Sequence, residues 1–384
     1  MSDTWWVKST QLSPEQRDIV GITDLKNRLV LGPPGSGKTN ILLLRAKYLI
    51  ADSKPDVQII VFTKALRRFV ASGREHYGVA ADKIITSTKW SHRLLRDLGV
   101  NPDPPEDFSD ARKYYSDMIS NLVEQKKIDK LHDAILLDEA QDYTFAEIQL
   151  FAKVAKHLFA VADTRQQIYS ATDDPVEALK KLVEHTHELK SHYRCGKKIC
   201  ELADALRKYT TLHNPLINSM MYDEEEYPSS VTCDSGSLRA QCDLIAQRLA
   251  DQMRVYPGQF LGIACPRRDG VERVMYLLQR YPEITRHVCR VKEDAESFDG
   301  QKSICLGTIH DMKGLELRTL HIPEAETLRD MPHPRNLAFT AVTRAKTSLS
   351  FYHEMEMIGY LDTAIRSILP TGEKPSVESL FPEG

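Results

Sequence analysis

Lys38 and Thr39 close the run Gly32-Pro33-Pro34-Gly35-Ser36-Gly37-Lys38-Thr39, the first place where this chain could do chemistry. The glycines let backbone N–H groups turn inward around phosphates, and the helix expected after the run adds its positive N-terminal end. Lys38 would neutralise charge on β- and γ-phosphates, and Thr39 would place its hydroxyl on Mg²⁺. The apolar run RLVL before the loop and the helical pattern after it distinguish a phosphate cradle from an ordinary Gly/Pro turn. A second group lies in ILLDEAQD, Ile135 to Asp142, where an apolar run ends in two carboxylates. Loops at the C-terminal edge of a parallel strand face the ligand crevice. Asp138 can hold Mg²⁺ there, and Glu139 can orient and deprotonate an attacking water.

These residues need rigid elements to position them. Short apolar runs alternate with amphipathic helical stretches, the signature of parallel sheets covered by helices. In the first half, strands are expected at 28–31, 57–62, 83–86, 134–137 and 158–161, with helices over 39–50 and 65–77. A second series is expected near Val231 and at 262–264, 303–307, 320–322 and 348–351, with helices over 237–253 and 271–280. The reading is therefore an α/β chain of two lobes, 1–187 and 188–370, with a hinge within 186–191 and a flexible tail at 371–384. The stretch 214–230, with its acidic run 223–226, reads as a surface excursion.

Composition narrows the class. A chain of 384 residues can hold two ordinary cores. Its net charge of −3 exerts no global pull on nucleic acid, so any such site must be a local basic groove. No apolar run approaches the ~18 residues of a membrane helix, and the N-terminus lacks an apolar signal core. The seven cysteines all lie at or beyond Cys195, and the closest pair, Cys195 and Cys200, does not have CxxC spacing. A cytoplasmic protein without disulfides or a zinc site is the expectation.

The motif DEAQD resembles motif II of the UvrD/Rep/PcrA helicases of superfamily 1, and the rest of that family's series follows in order. LSPEQ, with Gln16, resembles the Q motif. ADTRQQIY (162–169) resembles motif III, LKSHYR ending at Arg194 motif IV, TIHDMKGLE (308–316) motif V, and RNLAFTAVTRAK (335–346) motif VI. The resemblance spans about residues 11 to 350 and implies two RecA-like P-loop NTPase domains that bind and hydrolyse ATP with Mg²⁺. It implies that Gln16 reads the adenine edge, although Ser13 to Gln16 also spells a helix capping box. It implies that Arg194 and Arg344 reach the γ-phosphate from the second lobe as arginine fingers, typically worth ~10³–10⁵ in rate. Gln166 would sense the γ-phosphate, Glu316 would contact the ribose, and Gly314 would let the motif V backbone approach the nucleotide. Ala162 stands where the family has glycine, and Thr164 and Arg165 where it has acidic residues. Only 91–134 separates motif Ib from motif II, leaving little room for the auxiliary domains of the larger helicases.

The same resemblance implies a 3′→5′ motor on single-stranded DNA, with RNA as an alternative strand. VFTKALRRFV resembles motif Ia and TSTKW motif Ib, giving Phe62 as a base-stacking residue beside Thr63, Lys64 and Arg67, with Lys89 and Trp90 further on. Tyr169 would stack on a base, and His310 would reach the backbone from the second lobe. Phe62 and Trp90 have an equally good reading as core side chains. A short core of this kind is also similar to the UvrD-like subunits of antiphage systems such as Gabija, which work beside a nuclease. In that reading the acidic excursion, the Cys/His-rich second lobe and the tail would be partner surfaces.

Overall fold

A computed structural model describes residues 9–54, 56–62, 67, 70, 77–125, 127–163, 165, 174–207, 214–291 and 302–369. The first sheet contains β1 (Arg28–Leu31), β2 (Val57–Val61), β3 (Ile84–Thr86), β4 (His132–Leu137), β5 (Ala155–Ala162) and β6 (His185–Glu188), in the order β3-β2-β4-β5-β1-β6. The second contains β7 (Ser230–Ser235), β8 (Leu261–Cys265), β9 (Val288–Arg290), β10 (Ile304–Thr308), β11 (Leu317–Ile322) and β12 (Ala345–His353), in the order β7-β12-β11-β8-β10-β9. Every pairing is parallel. Two six-stranded parallel sheets flanked by helices make this the α/β architecture of paired RecA-like domains.

The sequence accounts for this sandwiching. Strands covered on both faces carry continuous apolar runs, and all five residues of β2, Val-Gln-Ile-Ile-Val, are buried. Val57, Ile59 and Val61 enter one apolar layer while Ile60 enters the other. Helix starts are marked by side-chain caps worth about 0.5–2 kcal/mol each. Ser13 and Gln16 form a capping box, as do Thr144 and Glu147. One apolar cluster runs from Val30 and Val61 through Leu189, Cys195 and Leu216 to Leu317 and Leu349, so the lobes share buried surface where the chain crosses.

Several elements depart from the sequence reading. Residues 185–188 pair with β1 as an edge strand, so half of the expected hinge belongs to the first sheet. The run His-Thr-His-Glu gave no strand signal because an edge strand with solvated faces needs no apolar pattern. Strand β9 has only three residues and was missed. The helix expected over 65–77 and the tail fall largely or wholly outside the described residues.

The acidic excursion lies on the surface but is anchored to the second lobe. Leu216 is buried, the Tyr222 hydroxyl meets Thr347 Oγ1 at 2.7 Å, and the Arg318 guanidinium lies 4.2 Å from the Tyr227 ring centroid. Glu224 accepts from the Lys197 N–H, capping the helix Lys197–Leu206. Of its acidic run, Glu224 alone is drawn into the lobe, while Asp223, Glu225 and Glu226 are exposed. Six of the seven cysteines are buried and Cys233 is half-buried; all seven are free thiols.

Candidate functional site: a cleft between two sheets

Strand β1 delivers its loop beside β5, which lies between β1 and β4, so the phosphate loop, the acidic turn and the end of β5 share one edge. Gly35 (φ 76°) and Gly37 (φ 82°) take left-handed conformations that favour glycine. A Cβ on Gly35 would collide with Cβ of Arg194, and one on Gly37 would come within 2.7 Å of Gln16 Nε2. The loop is thus shaped for close approach from two sides. Lys38 Nζ donates to the carbonyls of Gly32 (2.9 Å) and Pro33 (2.8 Å), curling over the loop where a phosphate would take those bonds.

On the acidic turn, Asp138 Oδ2 accepts from Thr39 Oγ1 at 3.0 Å. Burial, and then the neighbouring Glu139, push the Asp138 carboxyl up to about 7. Two hard oxygen donors converging in this way, one of them an anion short of positive charge, fit a Mg²⁺ ion. Glu139 has a positive φ of 49°, a strained conformation that tends to mark functional sites. Burial opposes its ionisation, yet Lys313, Arg344 and Lys38 outweigh that and hold its carboxyl below the ordinary value. Gln141 Nε2 donates to Glu139, and its Oε1 accepts from the Asp163 N–H at 2.9 Å, tying the acidic turn to the end of β5.

The second lobe supplies the cations. Arg194 pairs with Glu316 and donates to the Thr343 carbonyl at 3.1 Å. Burial alone would lower the Arg194 guanidinium, but Glu316 more than compensates and raises it. Arg344, only 1% exposed, is pushed down to about 10 by burial and then by Arg194. Its Nη1 donates to the Leu315 carbonyl at 3.3 Å. Lys38, Thr39, Asp138, Glu139, Arg194 and Arg344 line one pocket, with Gly314 and Glu316 on its second-lobe wall. Burying several opposed charges without a ligand is costly, and a nucleotide phosphate chain with a divalent cation would re-pair them.

The other predicted residues divide. Pro33, Pro34 and Ser36 lie buried in the phosphate loop. Gln16 meets the loop as well as closing the capping box: Nε2 donates to the Ser36 carbonyl at 2.9 Å while Oε1 accepts from the Ser13 N–H. Phe62 and Trp90 are corrections. Phe62 is 5% exposed and packs edge-on against Phe108 and Tyr143; Trp90 is 4% exposed, packs on Phe151 and donates to His132. Neither ring has a face open to a base. Lys89 is exposed, His310 half-buried, and Arg67 Nε donates to the Ile84 carbonyl at 3.0 Å. Thr63, Lys64, Gln166 and Tyr169 lie outside the described residues.

Sequence reasoning missed Gln141, Asp142, Asp163 and Lys313. All four lie inside the quoted motifs DEAQD, ADTRQQIY and TIHDMKGLE, where the better-known chemistry of neighbouring residues masked them.

A phosphate loop on one parallel sheet, faced by buried guanidinium groups from another, defines a two-lobed P-loop nucleotide-binding protein. The family comparisons agree. Residues 16–172 match the model of an AAA domain, and residues 303–352 match the model of the UvrD-like helicase C-terminal domain. The chain has a UvrD/Rep-like superfamily 1 helicase core, which makes it an ATP-hydrolysing enzyme of the nucleic-acid-dependent helicase class. No curated protein matches it.

Proposed function

We propose that this chain is an ATPase that translocates on single-stranded DNA, in the 3′→5′ sense of its family, by closing the cleft between its lobes on MgATP. The observation that carries this reading is the joint lining of one pocket by Lys38 of the first lobe and Arg194 and Arg344 of the second. Each set serves a different step. Lys38, the loop N–H groups and the helix Lys38–Ala51 bind the phosphates, and Thr39 and Asp138 hold Mg²⁺. Glu139, anionic among cations, orients and deprotonates the water. Arg194 and Arg344 stabilise charge on the transferred phosphoryl group only while the lobes are together. Gln16 selects adenine by turning its amide from Ser13 and Ser36 to the base, and Glu316 holds the ribose from the second-lobe wall.

Opening and closing one cleft is sufficient for stepping along a strand. Nucleic-acid contact is assigned to the loops at the C-terminal edges of both sheets, with Lys89, Arg67 and His310 as backbone contacts. The excursion is anchored through Tyr222 and Tyr227 and leaves Asp223, Glu225 and Glu226 exposed, and no observation favours a partner nuclease over the motor.

ATPase rate measured against single-stranded DNA, RNA, duplex and forked substrates tests the reading. Single-stranded DNA is expected to give the largest stimulation, falling steeply with salt. Glu139→Gln should bind ATP with near-normal affinity and lose about 10³-fold or more in turnover. Stimulation by none of the substrates would refute the motor reading.

A further inference from the structure

Among the described residues, and outside the nucleotide pocket, the deepest charged contact between the lobes joins Lys313 to Asp142. Nζ lies 2.6 Å from Oδ1, and the side chains are 2% and 1% exposed. Lys313 belongs to the loop between β10 and β11 of the second sheet, and Asp142 ends the short turn Ala140–Asp142 after β4 of the first. Neither lines the pocket. The other carboxylate oxygen of Asp142 is buried without a hydrogen-bond partner among the described residues, so Lys313 is what satisfies this carboxylate.

The turn is held at every working residue. The Asp142 N–H donates to the Glu139 carbonyl at 2.9 Å, closing the turn on the water-activating residue. Arg112 Nη2 donates to the Asp142 carbonyl at 2.9 Å, and Arg112 is itself paired with Glu147. Gln141 bridges Glu139 to Asp163. All of these anchors lie within the first lobe. Lys313 adds the one that arrives with closure.

We propose that Lys313 is a positioning residue: by capturing Asp142 it latches the closed cleft and fixes the Glu139–Asp142 turn in its hydrolytic geometry, so that ATP is cleaved only when the lobes are together. The proposal rests on the ATPase reading above. A buried ion pair that is whole adds little net stability, because the attraction roughly repays desolvation, whereas a buried charge stripped of its partner is strongly disfavoured. An intact latch therefore opens at little cost on each cycle, and half a latch drives the cleft open.

That asymmetry dictates the test, made on the full chain with Lys313→Met, Asp142→Asn and the double variant. Steady-state ATPase is read alongside small-angle scattering with and without a non-hydrolysable ATP analogue. Lys313→Met should lower kcat about 100-fold, the loss expected from one uncompensated buried charge, with KM for ATP changed less than about threefold. It should also abolish the compaction that the analogue induces in the parent protein. The double variant, with no charge left to bury, should regain the compaction and return kcat to within about tenfold of the parent.

A thermal melt checks that the variants fold, and the rescued double variant guards against a folding defect in the single one. The proposal is overturned if Lys313→Met keeps its compaction or its kcat, or if the double variant is as slow and as open as the single one. Absence of ATPase in the parent, or its survival in Glu139→Gln, would refute the underlying reading instead. The scattering comparison would still report on the latch.

Discussion

The nucleotide cleft and the outer end of the first lobe are built from the same kind of segment, a loop leaving the C-terminal edge of a parallel strand, yet their side chains behave differently. In the cleft, the residues chosen from sequence converge: Lys38, Thr39, Asp138, Glu139, Arg194 and Arg344 face one volume. On the outer end, the aromatic residues turn inward. Phe62 lies 5.5 Å from Tyr143 and beneath the Arg112 guanidinium at 4.9 Å, and Trp90 lies 5.3 Å from Phe151. A lysine after a glycine-rich loop, or a Glu after a buried strand, is too costly to bury for packing alone and so reports a ligand. An aromatic ring gains as much from a core as from a base, so its presence at a strand end does not decide between them.

The largest expected effect tests the cleft side of this contrast. Arg344→Ala should lower kcat by ~10³–10⁵ while leaving ATP affinity in the open protein nearly unchanged, since the guanidinium meets the phosphates only on closure. Arg344→Lys should not restore the rate, because one ammonium cannot reproduce the planar fork that already reaches the Leu315 and Thr340 carbonyls. A loss of less than tenfold in single-turnover measurements would mean that convergence in the cleft is packing and not transition-state chemistry.

How much the sequence disclosed follows the same divide. Strands buried on both faces, such as β2 and β8, could be read from their apolar runs. The polar edge strand β6 and the three-residue β9 could not, because neither carries a period. The phosphate loop and acidic turn were evident because spacing alone fixes their geometry. Asp142 and Lys313 stood in quoted motifs, but their contact spans 171 positions and exists only across the cleft. The acidic run at 223–226 was legible in part: Asp223, Glu225 and Glu226 are exposed, as their charge suggests, whereas Glu224 caps a helix distant in sequence.

A smaller effect sharpens the contrast from the other side. Trp90→Ala should destabilise the first lobe by about 3 kcal/mol, the usual penalty for truncating a buried aromatic, seen as a lower urea midpoint for that lobe. Strand affinity of the folded protein should stay within about twofold of the parent. A stacking Trp90 would show the reverse pattern, with unchanged stability and roughly 1–3 kcal/mol of lost binding.

The smallest effect concerns the exposed neighbour of that tryptophan. Lys89 lies in the first turn of the helix Ser87–Asp97, one residue before Trp90, and unlike it remains in solvent. A cation at a helix N-terminus is mildly unfavourable, because it faces the positive end of the dipole. Lys89→Ala should therefore leave the melting temperature unchanged or slightly raised. If the lysine contacts a strand phosphate, the same change should weaken binding a few-fold for all sequences alike. It should also flatten the dependence of log affinity on log salt by roughly one unit. An unchanged salt slope would remove Lys89 from the nucleic-acid surface and leave the contact to other residues at the ends of the two sheets, such as His310.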